Sequence, residues 1–129
     1  MKIEPCYFCS SPSERIILET ELSIVIHDAF PVSEGHTLII TKRHIESIFD
    51  ATKEEQIDLL ANLEEAKKIL DNKFSPDGYN VGINDGEAAG QTVKHLHIHL
   101  IPRYLGDKDE AKGGVRWIFP DKANYWSQI

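Results

Sequence analysis

In "GQTVKHLHIHLIPR", residues 90–103, His95, His97 and His99 fall at every second position and account for half of the chain's 6 histidines. An extended strand sends successive side chains to opposite faces. This spacing therefore sets the three imidazoles on one face and Leu96, Ile98 and Leu100 on the other. Near pH 7 a neutral imidazole is a nucleophile, a proton shuttle and a metal ligand, and the hydrogen bond made by one ring nitrogen decides which nitrogen stays available. Reach rules out a zinc-water hydrolase built on all three. At about 3.3 Å rise per residue, His95 and His99 stand roughly 13 Å apart along a regular strand, whereas zinc–ligand bonds are about 2 Å. The three rings must divide their labour.

Just upstream, "DGEAAGQT" holds Gly86 and Gly90, which allow backbone N–H groups to approach a ligand closely, and Gln91 and Thr92, whose side chains add donors at the mouth of the strand. Taken alone, this loop reads first as an ordinary turn. A second constellation is "CYFC", where Cys6 and Cys9 are the only two cysteines. Without a basic-then-apolar leader the expected compartment is the cytoplasm, so a disulfide framework is disfavoured and metal binding or redox work remain. A redox pair opens a helix after a strand, whereas this pair precedes every strand in the chain. Zinc is the better reading, with two N or S donors still to be found.

The elements that must position these residues follow from pattern. "RIILET" and "LSIVIHD" are β-branched runs separated by polar residues and predict a hairpin ending near Asp28. "GHTLIIT", residues 35–41, is a third strand, "YNVGIN" a fourth, and the histidine strand runs from Thr92 to Ile101, with Pro102 closing its ladder for want of an N–H. Thr52 and Glu55 make a capping-box signature, after which Ile57, Leu60, Leu63, Ala66, Leu70 and Phe74 recur at helical spacing, predicting one long helix with that face buried. Strands around one crossing helix indicate an α+β domain with a mainly antiparallel, five-stranded sheet.

With 129 residues, 27% charged and 41% hydrophobic, the chain suits one domain over residues 1–129, with residues 105–129 wrapping the domain or a partner subunit. No apolar run is long enough to span a bilayer. A net charge of -7 argues against a duplex-binding surface. Lys42, Arg43, Lys94 and Arg103 flank the informative stretches and serve equally well as solvated charges or as local anchors for an anion.

These residues carry a family resemblance. "HLHIHLI" matches the His-φ-His-φ-His-φ-φ motif, and both "NDGEAAGQTVKHLHIHLIPR" and "IHDAFPVSEGHTLIITKRHI" resemble the histidine triad family, in its fragile histidine triad and bacterial branches, over most of residues 5–105. The resemblance implies that His97 attacks the α-phosphorus of a nucleotide derivative to form a nucleotidyl-histidine. His99, Gln91 and Thr92 would then hold the phosphate, and water or another acceptor would release a nucleoside monophosphate, as in a nucleotide hydrolase or nucleotidyl transferase. It implies further nucleotide contacts at Asp28, as a ribose ligand, and at Asn84 and Gly90, with Phe8 and Ile26 lining the base pocket. Read on their own, Asp28 and Asn84 are equally turn residues, and Phe8 and Ile26 core residues. Zinc-bearing relatives imply His44 and His95 as the donors that complete a structural zinc site with Cys6 and Cys9.

Implied substrates are dinucleoside polyphosphates such as diadenosine tetraphosphate, with adenine by analogy alone. The alternatives are a nucleoside phosphoramidase and a nucleotide-binding regulatory module with little turnover. The resemblance also implies a homodimer. Within the tail, Trp117 caps the base, crosses that interface or simply packs.

Overall fold

The computed structural model describes residues 6–10 and 13–129. The single-domain expectation also takes in residues 1–5 and 11–12, which lie outside the described residues. Five strands form one sheet: β1 (Ile16–Glu19), β2 (Ser23–His27), β3 (Thr37–Thr41), β4 (Gly78–Gly82) and β5 (His97–Arg103). Their order is β1-β2-β3-β5-β4, and every neighbouring pair is antiparallel. The helix α1 (Lys53–Phe74) connects β3 to β4 and crosses one face of the sheet, giving the α+β architecture that the strand and helix patterns predict.

Register sorts the side chains. His99 stands opposite Leu38 of β3 and Gly82 of β4, while Leu100 stands opposite Thr37 and Val81. Val25, Ile39, Leu96, Ile98 and Leu100 consequently pack with Leu59, Ala66 and Leu70 beneath α1. Ile26, Leu38 and Ile40 form a smaller cluster on the opposite face under Phe8, and His97 and His99 share that face. The chain thus buries one face of the sheet under a helix and leaves the other for the imidazoles.

The capping box at the start of α1 forms as expected: Thr52 Oγ1 accepts from the Glu55 N–H and Glu55 Oε1 from the Thr52 N–H. The buried stripe differs from the one predicted. Ile57 and Leu60 are 69% and 61% exposed, and the residues turned inward are Glu55, Leu59, Asn62, Ala66 and Leu70. The reason is polar pairing across the interface. Glu55 takes a two-pronged hydrogen bond from Arg43, and Asn62 donates to Ser23 Oγ at 2.7 Å, so both polar groups are satisfied once buried.

Two boundaries of the histidine strand also move. β5 starts at His97, so His95 and Leu96 precede it, although Leu96 still faces the helix side. Pro102 does not close the ladder: it pairs with Tyr79, and the strand runs on to Arg103. β3 has already ended opposite Leu100, and the Pro102 carbonyl accepts from Ser33 Oγ at 2.7 Å on that side, so the missing N–H faces no strand.

Beyond β5, a 3-10 segment at Gly114–Ile118 folds back against β4, and the short helix α2 (Pro120–Ala123) packs on that segment. Trp117 donates from Nε1 to the Lys112 carbonyl within this tail. Among the described residues no helix is long and apolar enough to cross a membrane.

Candidate active site and metal centre

A cavity of about 440 Å³ opens on the imidazole face. Tyr7, Phe8, Phe30 and Leu38 give it apolar walls, and Asp28, Asn84, Thr92, His97 and His99 give it polar ones. His97 lies at its floor, edge-on to Phe8 with ring centroids 4.8 Å apart. Its Nδ1–H donates to the His95 carbonyl at 2.8 Å, which leaves the Nε2 lone pair for the cavity. Burial lowers the His97 pKa against the opposing hydrogen bond to the His95 carbonyl and the charge of Asp28, so the ring is neutral near pH 7.

A chain of hydrogen bonds sets the tautomer of His99. The backbone N–H of Val32 donates to His36 Nδ1 at 3.1 Å, so the proton of neutral His36 sits on Nε2. That nitrogen lies 3.0 Å from His99 Nδ1 and 3.4 Å from Asp28 Oδ2. His99 Nδ1 is then an acceptor, and its Nε2 carries a hydrogen as a donor. Burial, with His97 and His36 alongside, pushes the His99 pKa down to about 4 despite Asp28. His36 is absent from the sequence-based site. Its only signal was a polar residue opening the third strand near Asp28.

Asp28 holds two places at once. Its Oδ1 accepts from the Phe30 N–H at 2.8 Å, the turn reading, while the residue also lines the cavity. Gln91 and Gly90 lie one layer back. Gln91 is buried, with Oε1 accepting from Gly86 N–H at 2.8 Å and Nε2 donating to the carbonyls of Glu46 and Val93. Gly90 donates to Glu87 within the same loop, and the φ values of 94° at Gly86 and 91° at Gly90 are ones that L side chains resist. Ile26 is fully buried behind Leu38, a core residue under the cavity rather than part of its lining.

Three of the four flanking cations are engaged elsewhere, Lys42 with Glu19, Arg43 with Glu55, and Arg103 with Asp107, while Lys94 is exposed. None of the cavity-lining side chains is lysine or arginine.

Next to this cavity, Cys6, Cys9, His44 and His95 bring one ligand atom each to within 4.8 Å of one another. Cys6 Sγ lies 3.4 Å from His95 Nδ1, and Cys9 Sγ lies 3.2 Å from His44 Nδ1 and 3.6 Å from His95 Nδ1. A tetrahedral zinc with two S and two N donors has S–N edges of roughly 3.5 Å, so the donor set fits. Outer contacts fit as well. His95 Nε2–H donates to the Thr41 carbonyl at 2.7 Å, which frees Nδ1 for a metal, and the Cys9 N–H donates to Cys6 Sγ at 3.2 Å.

The model of the HIT domain, the histidine triad domain, matches residues 11–106. The chain belongs to the HIT family. Its five-stranded sheet with one main helix is the fold of its solved HIT neighbours. Among these, the zinc-bound histidine triad protein of Mycobacterium smegmatis is 36% identical, with 81% of this chain and 78% of that one covered at a TM-score of 0.73.

Two HIT relatives carry names that state an activity. The asymmetrical bis(5'-nucleosyl)-tetraphosphatase of Schizosaccharomyces pombe is 35% identical over 105 residues, 81% of this chain and 58% of that protein. The bis(5'-adenosyl)-triphosphatase of Dictyostelium discoideum is 42% identical over 89 residues, 69% of this chain and 60% of that protein. The chain thus spans somewhat under two thirds of the length of these two relatives.

Proposed function

We propose that this chain hydrolyses dinucleoside polyphosphates through a nucleotidyl-His97 intermediate. One observation carries the reading: Nδ1 of His97 is committed to the His95 carbonyl, so an uncharged Nε2 faces the cavity. The Nε2 lone pair forms an N–P bond to the α-phosphorus, the bridging P–O bond breaks, and its electron pair departs with the polyphosphate anion. Water oxygen then attacks the same phosphorus, the N–P bond returns its pair to His97, a proton goes to solvent, and nucleoside monophosphate leaves. Positive charge on the ring during attack strengthens the Nδ1–H bond to His95, so the transition state gains more from it than the ground state does.

The remaining residues divide the substrate. His99 Nε2–H and Thr92 donate to phosphoryl oxygens, Asp28 accepts from the ribose, and Asn84 meets the ribose–phosphate junction. Phe8, with Tyr7 and Phe30 beside it, takes the base. Gln91 and Gly90 act by shaping the loop behind Thr92. Cys6, Cys9, His44 and His95 are the residues that would hold a structural zinc. Such an ion would tie the "CYFC" turn to the strand that carries His97 and supplies no other chemistry here. The relatives named for dinucleoside polyphosphates support the substrate class. A homodimer formed through the sheets belongs to the same proposal.

The state of His99 favours anhydrides over phosphoramidates. A polyphosphate leaves as an anion, whereas an amine must be protonated as it departs, and His99, with its pKa pushed down to about 4, is at pH 7 a neutral hydrogen-bond donor rather than an acidic imidazolium. The kcat/KM profile is therefore expected to stay level as pH falls from 8 through about 6.5 and to drop only below it, as His97, whose pKa burial lowers, takes up a proton and loses its attacking lone pair. His99 follows near about 4, where it can no longer accept from His36, with Asp28 the carboxylate facing both. A kcat/KM–pH profile that breaks at or above about 6.5, the ordinary imidazole value, contradicts this.

The function itself is tested by mixing the protein with labelled diadenosine tetraphosphate, quenching in alkali and mapping the label. AMP release with label on His97 is the expected result. AMP binding without either means a nucleotide-binding module.

A further inference from the structure

Residues 41–46 run from the last residue of β3 toward a 3-10 turn at Ile48–Asp50, and they support the site without lining its cavity. The Thr41 carbonyl accepts from His95 Nε2 at 2.7 Å, and His44 brings Nδ1 to 3.2 Å from Cys9 Sγ. The Ile45 carbonyl accepts from the Leu96 N–H at 2.6 Å, and the Glu46 carbonyl from Gln91 Nε2 at 3.0 Å. One stretch of backbone thus aims one imidazole of the Cys2His2 cluster and carries the other. It also pins the chain beside His95, whose carbonyl holds His97 Nδ1–H.

Past Thr41 this stretch has left the sheet and needs another anchor. Arg43 supplies it. Its Nε and Nη2 donate to the two oxygens of Glu55 at 3.1 and 2.8 Å, Nη2 also reaches the Asp50 carbonyl at 3.3 Å, and the Arg43 carbonyl accepts from Thr41 Oγ1 at 2.9 Å. An ion pair exposed on both sides contributes little. Here the Arg43 side chain is 53% exposed but that of Glu55 only 5%, so loss of the guanidinium strands a buried carboxylate at the head of α1. Lysine, a point charge without the planar fork, cannot meet both oxygens and the carbonyl together.

We infer that Arg43 is a positioning residue for the metal centre: clamped to α1 through Glu55, it sets where His44 and His95 stand. The inference rests on the reading of Cys6, Cys9, His44 and His95 as a zinc site. It gives that site a support beyond its four ligands, on an element that none of them occupies.

The test is titration with cobalt(II), which takes the same tetrahedral S and N donors and whose visible absorption reports affinity and geometry together. Arg43→Met is expected to bind cobalt about tenfold more weakly than wild type, with Arg43→Lys recovering part of the loss. Glu55→Gln keeps an acceptor for the Thr52 N–H and removes the counter-charge. It should weaken cobalt to a similar degree, and the double variant no further, because the two side chains act as one unit. Leu70→Val, about four turns along α1 from Glu55, opens a small hole in the core and serves as the stability control, with a lower Tm and cobalt affinity unchanged. Cobalt affinity that survives Arg43→Met, or that falls as far in Leu70→Val, overturns the positioning role and leaves the metal site standing. A wild type that takes up no cobalt removes both. Neither outcome depends on turnover, so the hydrolase reading is decided separately.

Discussion

His97→Ala is expected to lower kcat for diadenosine tetraphosphate by about 10⁴-fold or more, the scale seen when a covalent nucleophile is removed. The loss should fall on kcat rather than KM, because AMP affinity rests on Asp28, the aromatic walls and His99, all still present. The ring is buried and packs on Phe8 and His99, so truncation leaves a hole and some loss of stability. Two controls separate chemistry from damage. Zinc content measured by atomic absorption should match wild type, since Cys6, Cys9, His44 and His95 are intact, and the alkali-stable label should vanish while the far-ultraviolet spectrum persists. A variant that keeps more than about a tenth of wild-type turnover would mean that attack comes from elsewhere. Metal-activated water would instead make activity disappear at once on chelation.

Removing the thiol ligands with Cys6→Ser and Cys9→Ser should produce the largest change in stability. The Cys2His2 cluster brings the segment before β1 together with His44, after β3, and His95 at the head of β5. Loss of the proposed zinc there would remove stabilisation on the order of 3 kcal/mol, less than in a zinc finger because α1 and the sheet keep their own core. At this chain length that is a fall in Tm of about 10 °C. Nucleotide affinity should drop as well, by about tenfold, because Tyr7 and Phe8 lie between the two thiols and line the cavity. Calorimetric melting and AMP titration measure both effects. A double variant that loses zinc yet keeps Tm and AMP affinity would show that the four residues serve neither purpose.

Much of this was legible before any coordinates. Alternation at His95, His97 and His99 placed the imidazoles on one face, and that survives although His95 lies outside the strand, because the face is set by Leu96, Ile98 and Leu100 having to meet the helix. The capping box at Thr52 is a local code, readable from two residues, and it forms. The buried stripe of α1 was misread because apolar periodicity cannot see that Glu55 and Asn62 find partners in Arg43 and Ser23, which come from other elements. His36 was missed for the same reason. Nothing beside it in the chain announces that its ring meets His99 across two strands, 63 residues away. Gln91 and Ile26 show the converse: the motif gave their neighbourhood, but only packing shows that one braces a loop and the other lies under the floor.

Of the cations flanking the site, Lys42, Arg43 and Arg103 are tied to Glu19, Glu55 and Asp107, and none of the four, Lys94 included, lines the cleft. Grip on an anionic substrate then depends on fixed dipoles and neutral N–H groups, whose short-range pull is screened far less by dissolved ions than that of exposed lysines. Affinity for the substrate should thus be insensitive to ionic strength, and the nucleoside monophosphate formed at the end of each cycle meets no opposite charge to detain it.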